Sequence, residues 1–461
     1  MWRHQQDAVD FVRGRNATLL HMGLGVGKSR VAIVCAEEMG ESGANRVLIL
    51  APLSVVPAWE KQFQEYATRE WEVCLLNKGG VSRKAKLAKD AMKRATAFAR
   101  PVVVIVNYES ARGPAFADLA MHGGWDLLVC DEIHKLKSPT GTTSRWVSRL
   151  AKTIKKRLGL TGTPMPHSQM DIYGIFRTLD PTIFGWSFVR FRKRYAIMGG
   201  YGSYEIVGYQ HTDELRSKMA LITYQADRSV LDLPDAIHQT IEVEMGRDGR
   251  RIYTELSEHL RAEIQAGTIH CANGLVALLR LQQLTSGVAT IDGDPPLVVR
   301  VDEGKRRAFA DLLDALPASE PVVAFGRFHA DLEAVHLAAK DAGRESLELS
   351  GRKRELEEWQ DGKAPILAVQ IQAGGVGIDL THAGKKPCSY VVYLSTGFSL
   401  GDYEQSLARA HRPGAERTVF YYHLIATDTV DVQVFHALRA RKDAVEAVLA
   451  DLASADSLEP H

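Results

Sequence analysis

Cysteine is scarce in this chain: five among 461 residues, at Cys35, Cys74, Cys130, Cys271 and Cys388, with no C-x-x-C pair and no Cys/His cluster at zinc spacing. A disulfide-stapled scaffold and a zinc ribbon are thereby excluded, and the thiols read as reduced and mostly structural. No apolar run approaches the roughly 18–20 residues of a membrane span. The opening Met1-Trp2-Arg3-His4-Gln5-Gln6 lacks the basic-then-apolar pattern of a secretory leader. The expectation is an intracellular, cytoplasmic protein with no membrane partner. Neither sign of charge dominates, with 57 Lys plus Arg against 56 Asp plus Glu, so any polyanion must be met by local basic surfaces. No repeat of short fixed period is present.

What is there is ordinary globular composition, 45% hydrophobic and 25% charged. At roughly 150 residues per domain the length allows two or three domains. From residue 16 onward, short apolar runs alternate with Gly-rich turns and helix-like stretches: Thr18 to His21, Val47 to Leu50, Val102 to Val106 and Leu127 to Cys130. Runs of four or five Val, Ile and Leu residues read as strands buried on both faces of a parallel sheet. Between about 166 and 235 the rhythm breaks and a mainly helical insertion is expected. It resumes at Val322 to Phe325, Ile366 to Val369, Tyr390 to Leu394 and Val419 to Tyr422. The predicted fold class is α/β, with two lobes flanking helical material. The expected domains are 1–232, with its insertion after about 166, and 233–461, with a helical lead-in and a C-terminal helix.

Gly23-Leu24-Gly25-Val26-Gly27-Lys28-Ser29 follows a predicted strand and precedes a helix-like stretch. That is the context of a loop that cradles phosphate: Gly23, Gly25 and Gly27 let backbone N–H groups turn toward a triphosphate, Lys28 reaches the outer phosphates and Ser29 holds Mg²⁺. A plain Gly-rich turn is the alternative. Further on, the strand Leu127 to Cys130 ends in Asp131-Glu132, placing one carboxylate for a second metal contact and another to position water; without the upstream Lys28 loop, this pair reads better as a solvated acidic loop. Arg409 and Arg412, three residues apart, are expected on one helix face, where both guanidinium groups can meet the charge on a transferring phosphoryl group. An ordinary surface arginine pair is the other reading.

Taken in chain order, these motifs resemble the Swi/Snf-type ATPases, DNA translocases of helicase superfamily 2, over nearly the whole chain. The residues that carry the likeness are Arg3 to Gln6, the Lys28 loop, Leu50 to Ser54 with Trp59-Glu60, Val106 to Glu109, Asp131 to Lys137 and Leu160 to Pro164. In the second half they are Leu349 to Gly351, Ala373 to Thr381 and Gln405 to Arg412, with Leu231 to Pro234 and Arg280 to Leu284 as segments peculiar to this family. The resemblance implies two RecA-like parallel-sheet lobes, ATP and Mg²⁺ as cofactors, and Gln5 on the adenine. It implies Lys28, Asp131, Glu132, Arg409 and Arg412 in catalysis, Ser29 and Asp131 on the metal, and Gly377 and Asp379 on the nucleotide. Backbone amides and hydroxyls of Pro52, Thr161, Gly162 and Thr381 are implied at DNA.

Two departures bear on DNA coupling: Ala415 stands where a Gln is usual, and the paired-basic segment before Leu231 is reduced to Ala226-Asp227-Arg228. Met22, where such loops often begin with Gly, is a third and milder one. The implied activity is an ATP-driven motor on DNA, duplex favoured and single strands possible, with a protein partner as a source of specificity. The alternatives are a strand-separating or annealing helicase and a low-turnover nucleotide-dependent clamp.

Two basic stretches are candidates for phosphate contact. Lys78 to Arg94 holds seven basic residues and one acid on a predicted amphipathic helix. Arg190 to Arg194 interleaves basic residues with aromatics that read equally well as the buried side of a helix.

Overall fold

The computed structural model describes residues 1–39, 45–162, 164–165, 168–199, 205–265, 271–291, 297–374, 379–383, 386–397, 399–436 and 438. The chain divides into two compact units, Met1–Leu231 and a second that starts at Asp232.

The first unit is a sheet of seven strands, all paired in parallel. They are β1 (Ala17–Met22), β2 (Arg46–Ala51), β3 (Glu72–Leu76), β4 (Val102–Asn107), β5 (Leu127–Asp131), β6 (Lys156–Thr161) and β7 (Thr223–Ala226). Their spatial order is β3-β4-β2-β5-β6-β1-β7. β1, β4 and β5 are buried at every position, as expected of strands covered on both faces. One apolar layer holds Val47, Ile49, Val129 and Leu160 with Ile33, Trp59 and Phe63; the other holds Leu48, Val104 and Leu128 with Phe116, Val147 and Phe176. Each such large side chain stabilises the unit by about 1.5–3 kcal/mol on burial.

The second unit has its own parallel sheet of six strands. These are β8 (Ala236–Val243), β9 (Val322–Gly326), β10 (Ser346–Leu349), β11 (Ile366–Gln370), β12 (Tyr390–Tyr393) and β13 (Val419–Ala426), in the order β8-β13-β12-β9-β11-β10. Phe309, Leu313, Val335, Ile366 and Val392 lie in its core. Two parallel α/β lobes of the RecA-like kind are thus present.

The insertion is less helical than the sequence suggested. Helices Ile172–Leu179, Phe188–Tyr195 and Thr212–Ala220 are there, but so are a hairpin of Ala196–Gly199 with Glu205–Tyr209, and β7, which pairs with β1. β7 reads Thr-Tyr-Gln-Ala: an edge strand needs no continuous apolar run, so it carried no apolar signal. Likewise the second unit opens on a strand, β8, before helices Arg247–Gln265 and Cys271–Thr285. The expected C-terminal helix lies, beyond residue 438, outside the described residues. Among the described residues no helix is long and apolar enough to cross a membrane. Cys35, Cys74, Cys130 and Cys388 are buried free thiols.

Candidate active site

The C-terminal ends of β1, β6 and β5 lie side by side in the first sheet, and each delivers one motif. In an open parallel sheet this edge is where ligands bind.

From β1 the chain enters the glycine loop and then the helix Lys28–Glu38. Gly25 and Gly27 take φ of +81° and +96°, backbone that L side chains rarely adopt. Gly27 is also required sterically, because a Cβ there would lie 2.2 Å from Nε2 of Gln5. Gln5 is buried against this loop, its Nε2 donating to the Val26 carbonyl at 3.1 Å and its Oε1 accepting from the Trp2 amide at 3.2 Å. His4 reaches the same Val26 carbonyl at 3.0 Å. The opening segment and the loop are therefore one assembly. Nζ of Lys28 donates to the carbonyls of Met22 at 2.9 Å and Gly23 at 3.1 Å, so its ammonium is folded into the loop. Met22 is fully buried as the last residue of β1. Ser29 follows on the first turn of the helix. The stem of Arg228 crosses Gly23, where a Cβ would stand 2.7 Å from the Arg228 Cγ.

From β5 come the two carboxylates. Asp131 is buried, its Oδ2 accepting from Nε1 of Trp59 at 2.9 Å and its Oδ1 from the Glu132 amide at 3.0 Å, while its carbonyl accepts from the Tyr108 hydroxyl at 2.7 Å. Burial first and the neighbouring Glu132 second push the Asp131 carboxyl up to about 7, against the Trp59 hydrogen bond and the Lys28 charge. Glu132 sits at φ +47°, a left-handed turn that ends the strand. Its Oε2 is 3.3 Å from Nδ1 of His134. That nitrogen is also 3.1 Å from Oγ1 of Thr161, at the end of β6. A chain of polar contacts thus runs from Glu132 through His134 to Thr161. His21 of β1 meets the Gly162 carbonyl at 3.2 Å.

These groups suit a triphosphate and a divalent cation. The glycine loop presents backbone at a helix N-terminus, Lys28 supplies a positive charge, and the adjacent Asp131 and Glu132 carboxylates in a buried setting are the donor set that a hard cation stabilises. Trp59, Tyr108 and His134 brace the Asp131–Glu132 turn, contacts that motif reading did not assign. The signal was available for the aromatics: a buried indole N–H or phenol O–H must find a polar partner.

Of the residues expected at DNA, Pro52 is buried and its carbonyl accepts from Val55 at 2.9 Å, starting the helix Val56–Tyr66, while Leu53 beside it is exposed. Thr161 is fully buried on His134.

In the second unit Thr381 donates to Oδ1 of Asp379 at 2.6 Å, and Nη1 of Arg412 lies 2.9 Å from the same oxygen. Arg409 is half-buried on the helix Leu400–Ala410. That helix stops at Ala410, so Arg409 and Arg412 do not share a helix face as expected. Arg412 precedes Pro413, whose ring disfavours helical backbone at the residue before it. Gly377 lies outside the described residues.

The two basic stretches resolve differently. On the helix Val81–Ala97, Lys84 is turned inward, donating to Asn107 Oδ1 at 3.1 Å and Ser110 Oγ at 2.9 Å, and Arg94 pairs with Glu72. On Phe188–Tyr195, Phe191 and Tyr195 are core residues and Arg194 pairs with Glu214, leaving Arg190, Arg192 and Lys193 exposed.

Comparison with known proteins adds the following. A family model described as the SNF2-related domain matches residues 4–286. Putative protein p41 of Acyrthosiphon pisum secondary endosymbiont phage 1 is 27% identical over 457 residues, covering 93% of this chain and 93% of that protein. The uncharacterized ATP-dependent helicase YqhH of Bacillus subtilis is 22% identical over 97% of this chain and 78% of its own length. An uncharacterized ATP-dependent helicase of Mycoplasma pneumoniae, also 22% identical over 97% of this chain, is matched over 42% of its length, so the chain spans less than half of that relative. Among solved structures, the Sulfolobus solfataricus SWI2/SNF2 ATPase core in complex with dsDNA is similar at 20% identity and a TM-score of 0.41, covering 97% of this chain and 92% of that one.

Proposed function

This chain belongs to the SNF2-related family, and from that premise we propose that it is a motor coupling ATP hydrolysis to movement along duplex DNA. It is an ATP hydrolase of helicase superfamily 2. The observation that carries the proposal is that the Lys28 loop and the Asp131–Glu132 pair leave the two strands that flank β6, with Glu132 joined through His134 to Thr161 at the end of β6 itself. A group that senses the outer phosphate is thereby wired to the end of the next strand.

In the proposed cycle the loop amides and Lys28 bind the phosphates, the ammonium exchanging the Met22 and Gly23 carbonyls for phosphate oxygens. Gln5 holds the adenine. Ser29 and Asp131 would hold Mg²⁺, which when bound would supply positive charge against the phosphate oxygens. Glu132 orients water and accepts its proton, and His134 keeps that carboxylate in place. We assign Asp379 to the nucleotide-sensing loop and Arg409 and Arg412 to countering the negative charge that develops in phosphoryl transfer. Pro52, Thr161, Gly162 and Thr381 belong to the loops assigned to DNA backbone, so sequence preference is weak. The setting is cytoplasmic, where DNA is at hand, and a protein partner supplies specificity.

The test is steady-state ATP hydrolysis without nucleic acid and with single-stranded DNA, duplex DNA or RNA, with Lys28→Ala as the blank. Stimulation by duplex DNA that the blank lacks is the expected result. Stimulation by single strands or RNA alone would point instead to an unwinding helicase, and turnover equal to the blank under every condition would sink the motor.

A further inference from the structure

Away from the nucleotide site, the first unit gathers positive charge that no carboxylate answers. Arg145 and Arg149 on the helix Thr142–Ala151 and Lys152 at its C-cap recur at four- and three-residue spacing, while Trp146, Val147 and Leu150 on the same helix are buried. These three cations, with Arg112 and Arg177, line a hollow of about 530 Å³ that also includes Trp186. No Asp or Glu lines it, and among the described residues none of the five cations is in an ion pair. Arg177 is fixed by donating to the Pro139 carbonyl at 2.7 Å and to Ser144 and Ser148 hydroxyls at 3.0 and 3.3 Å. Burial, with Tyr173 opposing and the charge of Arg145 adding to it, holds the Arg177 guanidinium below its ordinary pKa. Gly185, at φ +77°, ends the preceding short helix, and Trp186 after it is 61% exposed. The Lys152 ammonium stands 4.3 Å from the centre of the Trp186 ring.

Two features here are costly for the free protein: like charges crowded without a counter-charge, and a large indole left in water. A bound polyanion that also carries an aromatic face removes both. We infer that this hollow binds an unpaired stretch of nucleic acid, one base stacked on Trp186 and the flanking phosphates on Arg112, Arg145 and Arg149. A base in a duplex is already stacked between its neighbours, so the indole selects strands that are not paired. The choice of nucleic acid over another polyphosphate rests on the DNA-motor reading. The site is separate from the loops assigned to the translocated duplex and gives the motor a hold on a single-stranded tail.

The experiment measures binding of the full chain to a fluorescein-labelled oligothymidylate, and to a blunt duplex of equal length, by anisotropy over a salt series without nucleotide. Trp186→Ala is expected to weaken the oligothymidylate roughly tenfold and Trp186→Phe to restore most of it. Arg145→Gln with Arg149→Gln is expected to make the log–log salt slope on the oligothymidylate shallower by about 1.4. Duplex affinity should change by less than about threefold in the two Trp186 variants, because a paired base cannot use the indole. Trp186 is exposed, so its replacement leaves the core intact, which a melting curve checks. Equal losses on duplex and single strand, no loss in Trp186→Ala, or competition by tripolyphosphate as strong as by oligothymidylate would each overturn the inference. Trp186-dependent binding in a protein whose ATPase responds to no nucleic acid would uphold this site and defeat the motor. A DNA-stimulated ATPase with Trp186-independent binding would do the reverse.

Discussion

Asp131 in the first unit is buried and held by Trp59, by its neighbour's amide and, through its carbonyl, by Tyr108. Arg412 in the second unit stands in a turn, 33% exposed, against an Asp379 that is 48% exposed. Both are charged groups at the ends of secondary structure, yet their surroundings differ in kind. A buried carboxylate keeps its place only because donors surround it, and removing one leaves a polar atom unsatisfied. A half-exposed ion pair is worth at most about 1 kcal/mol and can be exchanged for another partner at small cost. The first unit thus holds a carboxylate fixed in place by its donors, and the second a cation able to change partners.

The sharpest way to break that contrast is a pair of substitutions. Arg412→Ala is expected to lower kcat by about 10³ while shifting the unfolding midpoint by less than about 1 kcal/mol in free energy. Glu132→Gln is expected to lower kcat by roughly 10²–10⁴ and to trap ATP-bound protein on DNA. Steady-state kinetics beside urea unfolding reads both. If Arg412→Ala costs stability and not turnover, the residue is only the partner of Asp379.

Next in size is an acid effect that treats the two units alike. Burial, aided by Lys28, holds His21 down at about 4, and burial with the neighbouring His238 holds His423 down at about 3, against an ordinary 6.5. Each imidazole takes a proton more readily unfolded than folded. Their contribution to stability is therefore whole above about pH 6.5 and is lost as pH falls toward 4, up to about 3 kcal/mol apiece. Protonation of the Asp131 carboxyl, pushed up to about 7, opposes this fall, so the reading is a difference: from pH 7.5 to 5 the urea midpoint should fall less in His21→Gln than in the unaltered chain, and equal slopes would show that the His21 imidazole is not buried neutral.

Smallest is Trp59→Phe, which keeps the ring in the core and deletes the donor to Asp131. A loss of about 1–3 kcal/mol is expected, with slower turnover. Unchanged stability would mean that the indole packs beside Asp131 without holding it.

Much of this was visible in the sequence because it is local. Buried parallel strands need continuous apolar runs, so β1, β2, β4 and β5 were found within a residue of their ends. The glycine loop was visible because close approach and positive φ admit few other residues, as Gly27 against Gln5 shows. The edge strand β7 gave no such run, and the helix break after Ala410 was announced only by Pro413. The links from Trp59 to Asp131, 72 positions apart, and from His134 to Thr161, 27 apart, have no local period at all.

The sequence by itself determined the parallel α/β character, the phosphate loop with its lysine and the paired carboxylates after a strand, since each is set by residues adjacent along the chain. Only the tertiary structure decided which buried donors hold Asp131, that Lys84 turns inward, and that cations from residues 112 to 177 converge on Trp186 without a carboxylate among them. Those facts depend on which strand and helix ends the sheet order brings together, and that order is fixed by packing between segments far apart in the chain.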